Sequence, residues 1–580
     1  MNLLSLNTKN GCSAQPYNIN KMRLNYTLKN MTKIYLKLSI IILLIFCFGA
    51  CSEDTIEVNQ SSAVFIKKTL NIPSSAGEVI TMIEWSATPW EIVMDSDNGM
   101  IIKISKREGG DTENKNGNDR ITIGYSENKS LEPRSQELFL VNKTTGERSK
   151  LVITQEGSHS SVSLTIDKST KYQHVVGFGG MYNPAIWHSS DNLITNNEII
   201  KMYSPDQLGY NILRLMIYPN ENDWAKDVEG AKLAQNQGAI VFASPWYSPD
   251  ELAETIIVNG EEYRHLNKED YQAYTDHLIR YINFMKSNGV DIFAVSVQNE
   301  PDINFTFWYP NEIVEYIKDY GDQIRATGVK LMAPEACGTQ PEYTDAVLND
   351  PEAFEKTDII AGHLYQGFIN VEESSYVKNR HNYISGLYNN KLAAVNKTWW
   401  MTEHLYNHGE SETNPSLWEF QKWSYNMDHL GKEIHMCMEG YCSAYIYWYL
   451  KRFYGMIGDN DGRSPVGPGE IAKNGYILSH YAKYASNMTR IKIDANNPDL
   501  MTTAYINPDE SVITVVLLNF NNSGLNVQIA SPDKIKRVDA VETTEVKNMQ
   551  SITSQINNED NNVSILLSGK SIASVMIELK

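Results

Sequence analysis

Cysteine is scarce in this chain. Of six in 580 residues, Cys12, Cys47 and Cys51 lie in or before an apolar N-terminal run, leaving Cys337, Cys437 and Cys442 for the rest. Those three are spaced like neither a zinc site nor a disulfide framework, so they are expected to be buried thiols. Positive charge is short as well: 51 Lys and Arg against 70 Asp and Glu give a formal net charge of −19. That balance excludes the basic stripes that hold nucleic acid, and it excludes attachment to anionic membrane by surface charge. It leaves a polysaccharide open as partner. There is no His-Glu-x-x-His, no phosphate-cradling P-loop, no dinucleotide glycine fingerprint and no Gly-x-Ser-x-Gly elbow. Gly177-Phe-Gly-Gly180 is glycine-rich but lacks the spacing and the follow-on acid, and reads as close backbone packing. Neither a metal nor a cofactor is expected. Only one apolar run is long enough to draw notice, Leu38 to Phe48.

That run is an address. Lys33 and Lys37 precede it, and it is too short to span a bilayer stably, so it reads as an export signal. It closes on Phe48-Gly-Ala-Cys51, which resembles the bacterial lipobox, whose cysteine is lipidated. Ser52, Glu53 and Asp54 are similar to the acidic export tag of Bacteroidota surface lipoproteins. The resemblance implies an exported chain held on the outer membrane, at the cell surface, through lipid at Cys51. A plain cleaved signal peptide is the alternative. Residues 1–51 are read as leader and lipoprotein signal, and 52–60 as a polar tether.

Apolar and aromatic residues are plentiful, 42% and 10% of the chain, with eleven Trp and thirty-three Tyr. The length calls for two to four domains. Residues 61–157 show β-type runs at Ala63–Lys67, Val79–Trp85, Ile101–Ser105, Arg120–Tyr125, Gln136–Val141 and Lys150–Gln155. No helical period occurs among them, and polar stretches such as Gly109–Asp119 read as loops, so an all-β, Ig-like sandwich is expected. Trp85-Ser-Ala-Thr-Pro-Trp90 and Leu151-Val-Ile-Thr-Gln-Glu-Gly157 resemble the BACON domain of Bacteroidota carbohydrate enzymes. No catalytic constellation lies in this stretch, and a spacer is the expected role.

From 162 to 488 strand-like and helical runs alternate, the α/β pattern of a parallel sheet. Eight candidate strands, Val175–Met181, Asn211–Ile217, Ala239–Pro245, Ile292–Gln298, Lys330–Pro334, Ile359–Tyr365, Thr398–Glu403 and Ala444–Leu450, fit a (β/α)8 barrel. Between them, Tyr271, Tyr274, Leu278, Tyr281, Ile282 and Met285 share a helical face that Gly289 ends. Residues 489–580 return to β, with candidate strands Thr502–Tyr505, Val512–Asn519, Val527–Ile529, Arg537–Val541 and Ser564–Ile577. A side β-sandwich is expected there, joined by residues 162–170 from before the barrel.

Within the barrel, Ile292-Phe-Ala-Val-Ser-Val-Gln-Asn-Glu-Pro-Asp302 passes from an apolar run to a carboxylate, Glu300. Trp399-Trp-Met-Thr-Glu403 does the same. Desolvating an ionised carboxylate at a strand end is costly, so such a residue usually has chemistry to do. On an eight-stranded barrel the ends of strands four and seven face each other across the mouth. Two carboxylates there suit glycoside hydrolysis, one moving the proton and the other attacking the anomeric carbon. Glu335, at the end of strand five, is a third acid, read as tying down loops, with a competing catalytic role as the alternative. Arg214, Trp246, His363, Tyr365, Trp448 and Tyr449 stand at strand ends and could line the same mouth. Arg214 in particular must pair, and a carboxylate is its natural partner.

Taken together, Gly177-Phe-Gly-Gly-Met181, Leu208–Leu215, Gly238-Ala-Ile-Val-Phe-Ala-Ser-Pro-Trp246, Val295–Asp302, Trp400-Met-Thr-Glu403 and Tyr447–Gly455 resemble glycoside hydrolase family 30, subfamily 8, the glucuronoxylanases. The resemblance implies retaining endo-hydrolysis of β-1,4-xylan, with Glu300 as acid/base and Glu403 as nucleophile. It also implies that Asn299 hydrogen-bonds the 2-hydroxyl of the attacked sugar. In that subfamily an Arg after strand eight grips the glucuronic acid branch. Here the segment reads Trp448-Tyr-Leu-Lys-Arg452, so Arg452 matches and Lys451 departs. The loop Leu405–Ser411 departs more, which leaves strict uronate dependence open. Expected partners are therefore a xylan-type polysaccharide and the outer membrane, with the chain itself a monomer. The alternatives are another β-glycan, such as a β-1,6-glucan, or a glycan-binding lipoprotein without activity.

Overall fold

The computed structural model describes residues 61–580 apart from 114, 129–132, 158–159, 189–191, 339–340, 366–379, 381, 396 and 406–421. The leader, Cys51, the tether and most of Leu405–Ser411 therefore lie outside the described residues. The chain divides after Ser158 into two compact units.

The N-terminal unit contains two sheets. One runs Ser62–Phe65, Gly77–Ser86, Asn116–Tyr125, Ile101–Ile104 in spatial order; the other runs Thr69–Ile72, Arg148–Gln155, Arg134–Asn142, Pro89–Val93, Glu108–Gly110. Phe65, Ile83, Ile121 and Ile123 from the first share a core with Trp90, Leu138, Leu140, Leu151 and Ile153 from the second. Three of these strands (Thr69–Ile72, Pro89–Val93, Glu108–Gly110) carry no sequence expectation, and the polar stretch Gly109–Asp119 is loop only in its middle, its ends belonging to two strands. Asn116–Asp119 pair with Ser86–Ile83, because a ladder is built from backbone groups and tolerates polar side chains on an exposed face.

The C-terminal unit holds a closed barrel of eight parallel strands: Gly177–Met181, Ile212–Ile217, Ile240–Pro245, Ile292–Ser296, Lys330–Gly338, Ile359–Tyr365, Trp399–Glu403 and Cys442–Tyr447. Strands two, six, seven and eight are buried at every position, as expected for strands covered on both faces. Trp400 meets Phe293 stacked at 5.8 Å and Phe242 edge-on at 5.7 Å, among Ile212, Ala294, Met332 and Ile446. The helix Tyr271–Ser287 buries its tyrosine-rich face, and Gly289 at φ +79 takes the left-handed turn that stops it. Pro310 starts the helix Pro310–Arg325, where the Glu312 carboxylate accepts from the Tyr309 N–H at 2.7 Å.

The remaining strands form a ten-stranded sheet in which Ser160–Val175 is an inner member. It pairs antiparallel with Met488–Ala495 and parallel with Leu525–Ala530. Opposite ends of the sheet come together over one core that includes Val162, Leu164, Val515, Val527 and Ile565. Residues before the barrel join this sheet over a longer span than 162–170: Val175 belongs to it and the first barrel strand starts only at Gly177. The stretch Ser564–Ile577 is two strands, Asn562–Leu567 and Ser571–Leu579, separated at Gly569 and Lys570, the latter at φ +46. Among the described residues no helix is long and apolar enough to cross a membrane.

Candidate active site

Strand four ends at Ser296, so Glu300 does not close the strand as its sequence suggests. It stands four residues further on, at φ +50 with Pro301 after it, and its N–H is tied to the Glu335 carbonyl at 3.0 Å. Glu403 is the last residue of strand seven. Glu335 sits inside strand five at φ +60, where the register to strand six slips between Pro334 and Ala336. A bulge of this kind re-aims one side chain out of the pleat, and here it turns a carboxylate inward.

Arg214, on strand two, is fully buried and gathers these groups. Its Nη1 donates to Glu403 Oε2, its Nη2 to Asn299 Oδ1 at 2.5 Å and to Glu335 Oε1 at 2.9 Å, and its plane lies 4.5 Å from the Trp246 ring centroid. Ser244 adds a hydroxyl on Glu335 Oε1 at 3.1 Å. Sequence reading gives Glu335 a loop-tying role with a catalytic one as the alternative, and has no place for Ser244. The polar residue two before Trp246, on the same face of strand three, is the signal that could have found the serine.

His363 bonds Glu300 Oε1 through Nδ1 at 3.0 Å, while its Nε2 faces Glu335 Oε1 at 3.7 Å, a charge contact rather than a hydrogen bond. Tyr365 donates to Glu403 Oε1 at 3.2 Å. Its ring meets the His404 imidazole at 4.9 Å, and His404 Nδ1 in turn is 2.7 Å from Glu433. Asn299 keeps its Nδ2 buried with no partner among the described residues, a donor in waiting.

The electrostatics divide the acids. Burial, reinforced by the charge of Glu403 and opposed by His363, raises Glu300 to about 7. Burial would raise Glu335 too, but Arg214 and His363 overcome it and hold it at about 2. His363 goes up to about 9: burial opposes its charge, and the Glu403, Glu300 and Glu335 carboxylates outweigh burial. One carboxyl, Glu300, therefore keeps a proton near neutrality beside Glu335 and His363, which stay charged, as a proton donor must.

The aromatic residues line the same mouth. Trp448 stacks on Tyr449 at 4.1 Å and leans on Trp246 at 5.8 Å. Trp187, after strand one, joins them at 5.7 Å from Trp246 and continues to Phe305; neither Trp187 nor Phe305 is among the residues sequence reading singles out. Arg452 is partly exposed, 3.9 Å from Asp459 and 5.3 Å from the Phe453 ring. Lys451 turns away into a buried pair with Glu198 at 3.0 Å and a bond to the Leu193 carbonyl.

Glu300, His363 and Glu403 each bring one ligand-type atom within 4.8 Å of the others, a set that could in principle hold a cation. The guanidinium already bonded to Glu403 places fixed positive charge beside those oxygens and opposes a second cation there. Proton transfer and nucleophilic attack suit the set better than metal binding.

A glycosyl hydrolase family 30 TIM-barrel domain matches residues 200–389. Glucuronoxylanase XynC of Bacillus subtilis (strain 168) is 35% identical over 370 residues, covering 63% of this chain and 79% of the relative. A solved GH30 endoxylanase from Clostridium papyrosolvens C71 superposes with a TM-score of 0.58 at 25% identity, covering 72% of this chain and all of that one. The endo-beta1,6-glucanase BT3312 shares the fold at 16% identity, with a TM-score of 0.54 over 75% of this chain and 97% of its own.

Proposed function

The chain belongs to glycosyl hydrolase family 30 and is a glycoside hydrolase, and from that premise we propose that it cleaves β-1,4-xylan internally and with retention, reading the glucuronic acid branch. The observation that carries the reading is the approach of a Glu300 oxygen and a Glu403 oxygen to within 4.8 Å. That is short of the separation an inverting pair needs for a water between them. In the first step a Glu403 oxygen bonds to the anomeric carbon as the glycosidic C–O bond breaks, and the Glu300 proton goes to the departing oxygen. In the second, water adds to the same carbon, releases Glu403 and gives its proton to Glu300. Asn299 Nδ2 donates to the 2-hydroxyl of the attacked sugar, while Trp246, Trp448 and Tyr449 bound the subsites as apolar faces. Arg214 and Tyr365 hold the nucleophile aimed by hydrogen bonds to its two oxygens. Mass spectrometry and reducing-end analysis of glucuronoxylan digests test the reading: branched oligosaccharides of regular length support it, and release of product only from β-1,6-glucan overturns it.

Because the acid must carry its proton, kcat/KM should fall as pH rises through about 7, the value to which Glu300 is raised. A pH–rate profile flat between pH 6 and 9 would remove Glu300 from that role.

Arg452 is the group we assign to the uronate. A guanidinium can grip a carboxylate with two parallel hydrogen bonds, and its 3.9 Å approach to Asp459 is too long to occupy it. Lys451, committed to Glu198, takes no part. A charge-assisted pair contributes roughly 1.5–3 kcal/mol, so Arg452→Ala should cost about one to two decades in kcat/KM on glucuronoxylan and little on unbranched xylo-oligosaccharides. Equal losses on both would sink the assignment.

We also place the enzyme on the outer membrane through lipid at Cys51, with residues 61–157 as a BACON-like spacer. Support comes from the Phe48-Gly-Ala-Cys51 and Ser-Glu-Asp run. Radiolabelled palmitate should mark the wild type and leave Cys51→Ser unlabelled; label on both would refute the anchor.

A further inference from the structure

At the end of the barrel away from Glu300 and Glu403 lies a cavity of about 300 Å³, lined by Tyr172, Ser385, Met436, Glu439, Tyr441 and Arg490. That size is at the lower end for small-molecule sites. Four parts of the C-terminal unit build it, one of them the helical segment Ile384–Leu392 that carries Ser385. Tyr172 and Arg490 come from the paired strands Ser160–Val175 and Met488–Ala495. Tyr441 comes from the turn that enters strand eight, and Met436 and Glu439 from the helix Lys432–Glu439 before it.

Its chemistry differs from a packing defect. The Arg490 guanidinium is nearly buried, yet it bonds the Gln173 side-chain oxygen at 3.1 Å and the Glu439 carbonyl at 3.4 Å rather than a carboxylate. It lies 3.8 Å from the Tyr172 ring centroid and 5.8 Å from that of Tyr441. The two rings meet edge to face at 6.1 Å. Tyr441 stands at φ +63, a backbone region that non-glycine residues rarely adopt. The half-exposed carboxylate of Glu439 meets His435 Nε2 through Oε2 at 3.4 Å, which leaves Oε1 as an acceptor on the cavity wall.

The cavity thus offers a guanidinium that only donates, a carboxylate that only accepts, and tyrosine rings. A hydroxyl does both, so a vicinal diol can accept from Arg490 and donate to Glu439 while the C–H face of its ring lies on a tyrosine. A free anion would meet Glu439, and a cation would meet Arg490. The geometry points to a second glycan-binding site here, taking one neutral pyranose unit of a chain longer than the catalytic cleft. It rests on the proposed function only in the choice of xylose as that unit.

The test uses the full chain carrying Glu403→Gln, titrated calorimetrically with xylohexaose. Two binding sites are expected. Tyr172→Ala removes a wall, and Ser385→Trp blocks the mouth from an exposed position without touching the interior; each should leave one site. Placed in the otherwise wild-type chain, both should leave hydrolysis of a soluble aryl xylobioside unchanged. A single site in the Glu403→Gln chain, or two sites indifferent to both substitutions, overturns the inference and leaves the proposed function standing. Failure of the wild type to cut xylan would sink the proposed function instead; the same titration with an oligosaccharide of the glycan the wild type does cut then decides the cavity.

Discussion

Glu403→Gln is expected to lower kcat on glucuronoxylan by several orders of magnitude while leaving Kd for xylo-oligosaccharides nearly unchanged. The amide keeps the shape of the side chain and can still face Arg214 and Tyr365, but it cannot form the covalent bond to the sugar. Among the described residues, the nearby carboxylate held firmly ionised is Glu335, and it is committed to Arg214 and Ser244 beneath the site. Single-turnover kinetics on the variant, with mass spectrometry for a glycosyl-enzyme adduct, are the measurement. Glu335→Gln should leave some turnover and bring a loss of stability, since it strands one face of a buried guanidinium. If Glu335→Gln proves as damaging to turnover as Glu403→Gln while its folding is intact, the nucleophile has been misassigned.

Glu300→Ala should split substrates by their leaving groups. On xylan, whose departing alkoxide needs a proton, the loss should reach roughly 10²–10⁴-fold, the usual contribution of a positioned acid. On aryl glycosides with acidic phenols the bond-breaking step needs little proton, so the loss there should be far smaller. The decline above pH 7 should also disappear from the residual activity, because the group that titrates is gone. Equal losses on both kinds of substrate would show that Glu300 is not the acid.

Much of this architecture is written into local pattern. Barrel strands two, six and seven are apolar at nearly every position, and their bounds fall within a residue of where the run of Val, Ile, Leu and aromatics predicts. The two acids stand out because each ends such a run. Less local features do not show. Glu300 lies past its strand: the ladder stops at Ser296, and although Pro301 is visible in the sequence, the left-handed turn at Glu300 is not. The inward turn of Glu335 comes from a register slip between two strands, which belongs to neither segment alone. Lys451 reads as a departure from a sugar-binding arginine, yet its partner, Glu198, comes from a helix some 250 residues earlier, the one Thr195 caps. The second cavity is invisible for the same reason: Tyr172, Glu439 and Arg490 meet only once the sheet beside the barrel has closed.

The strand Ser160–Val175 carries a consequence for how the molecule is made. It leads directly into the first barrel strand, but both its hydrogen-bonding neighbours, Met488–Ala495 and Leu525–Ala530, come from more than 300 residues later. Contacts of such high sequence separation are slow to form, because a long loop must be closed before they contribute anything. At 5–20 residues per second, this strand waits on the order of tens of seconds during synthesis for its partners to exist. Throughout that interval its apolar face, Val162, Leu164 and Ile166, and both its backbone edges stay open to other chains. The barrel cannot be finished like a bead on a string. The strand that enters it is anchored to strands that follow the barrel, so a chain stopped after Ala485 would carry Glu300 and Glu403 and still lack the sheet that seats its first strand.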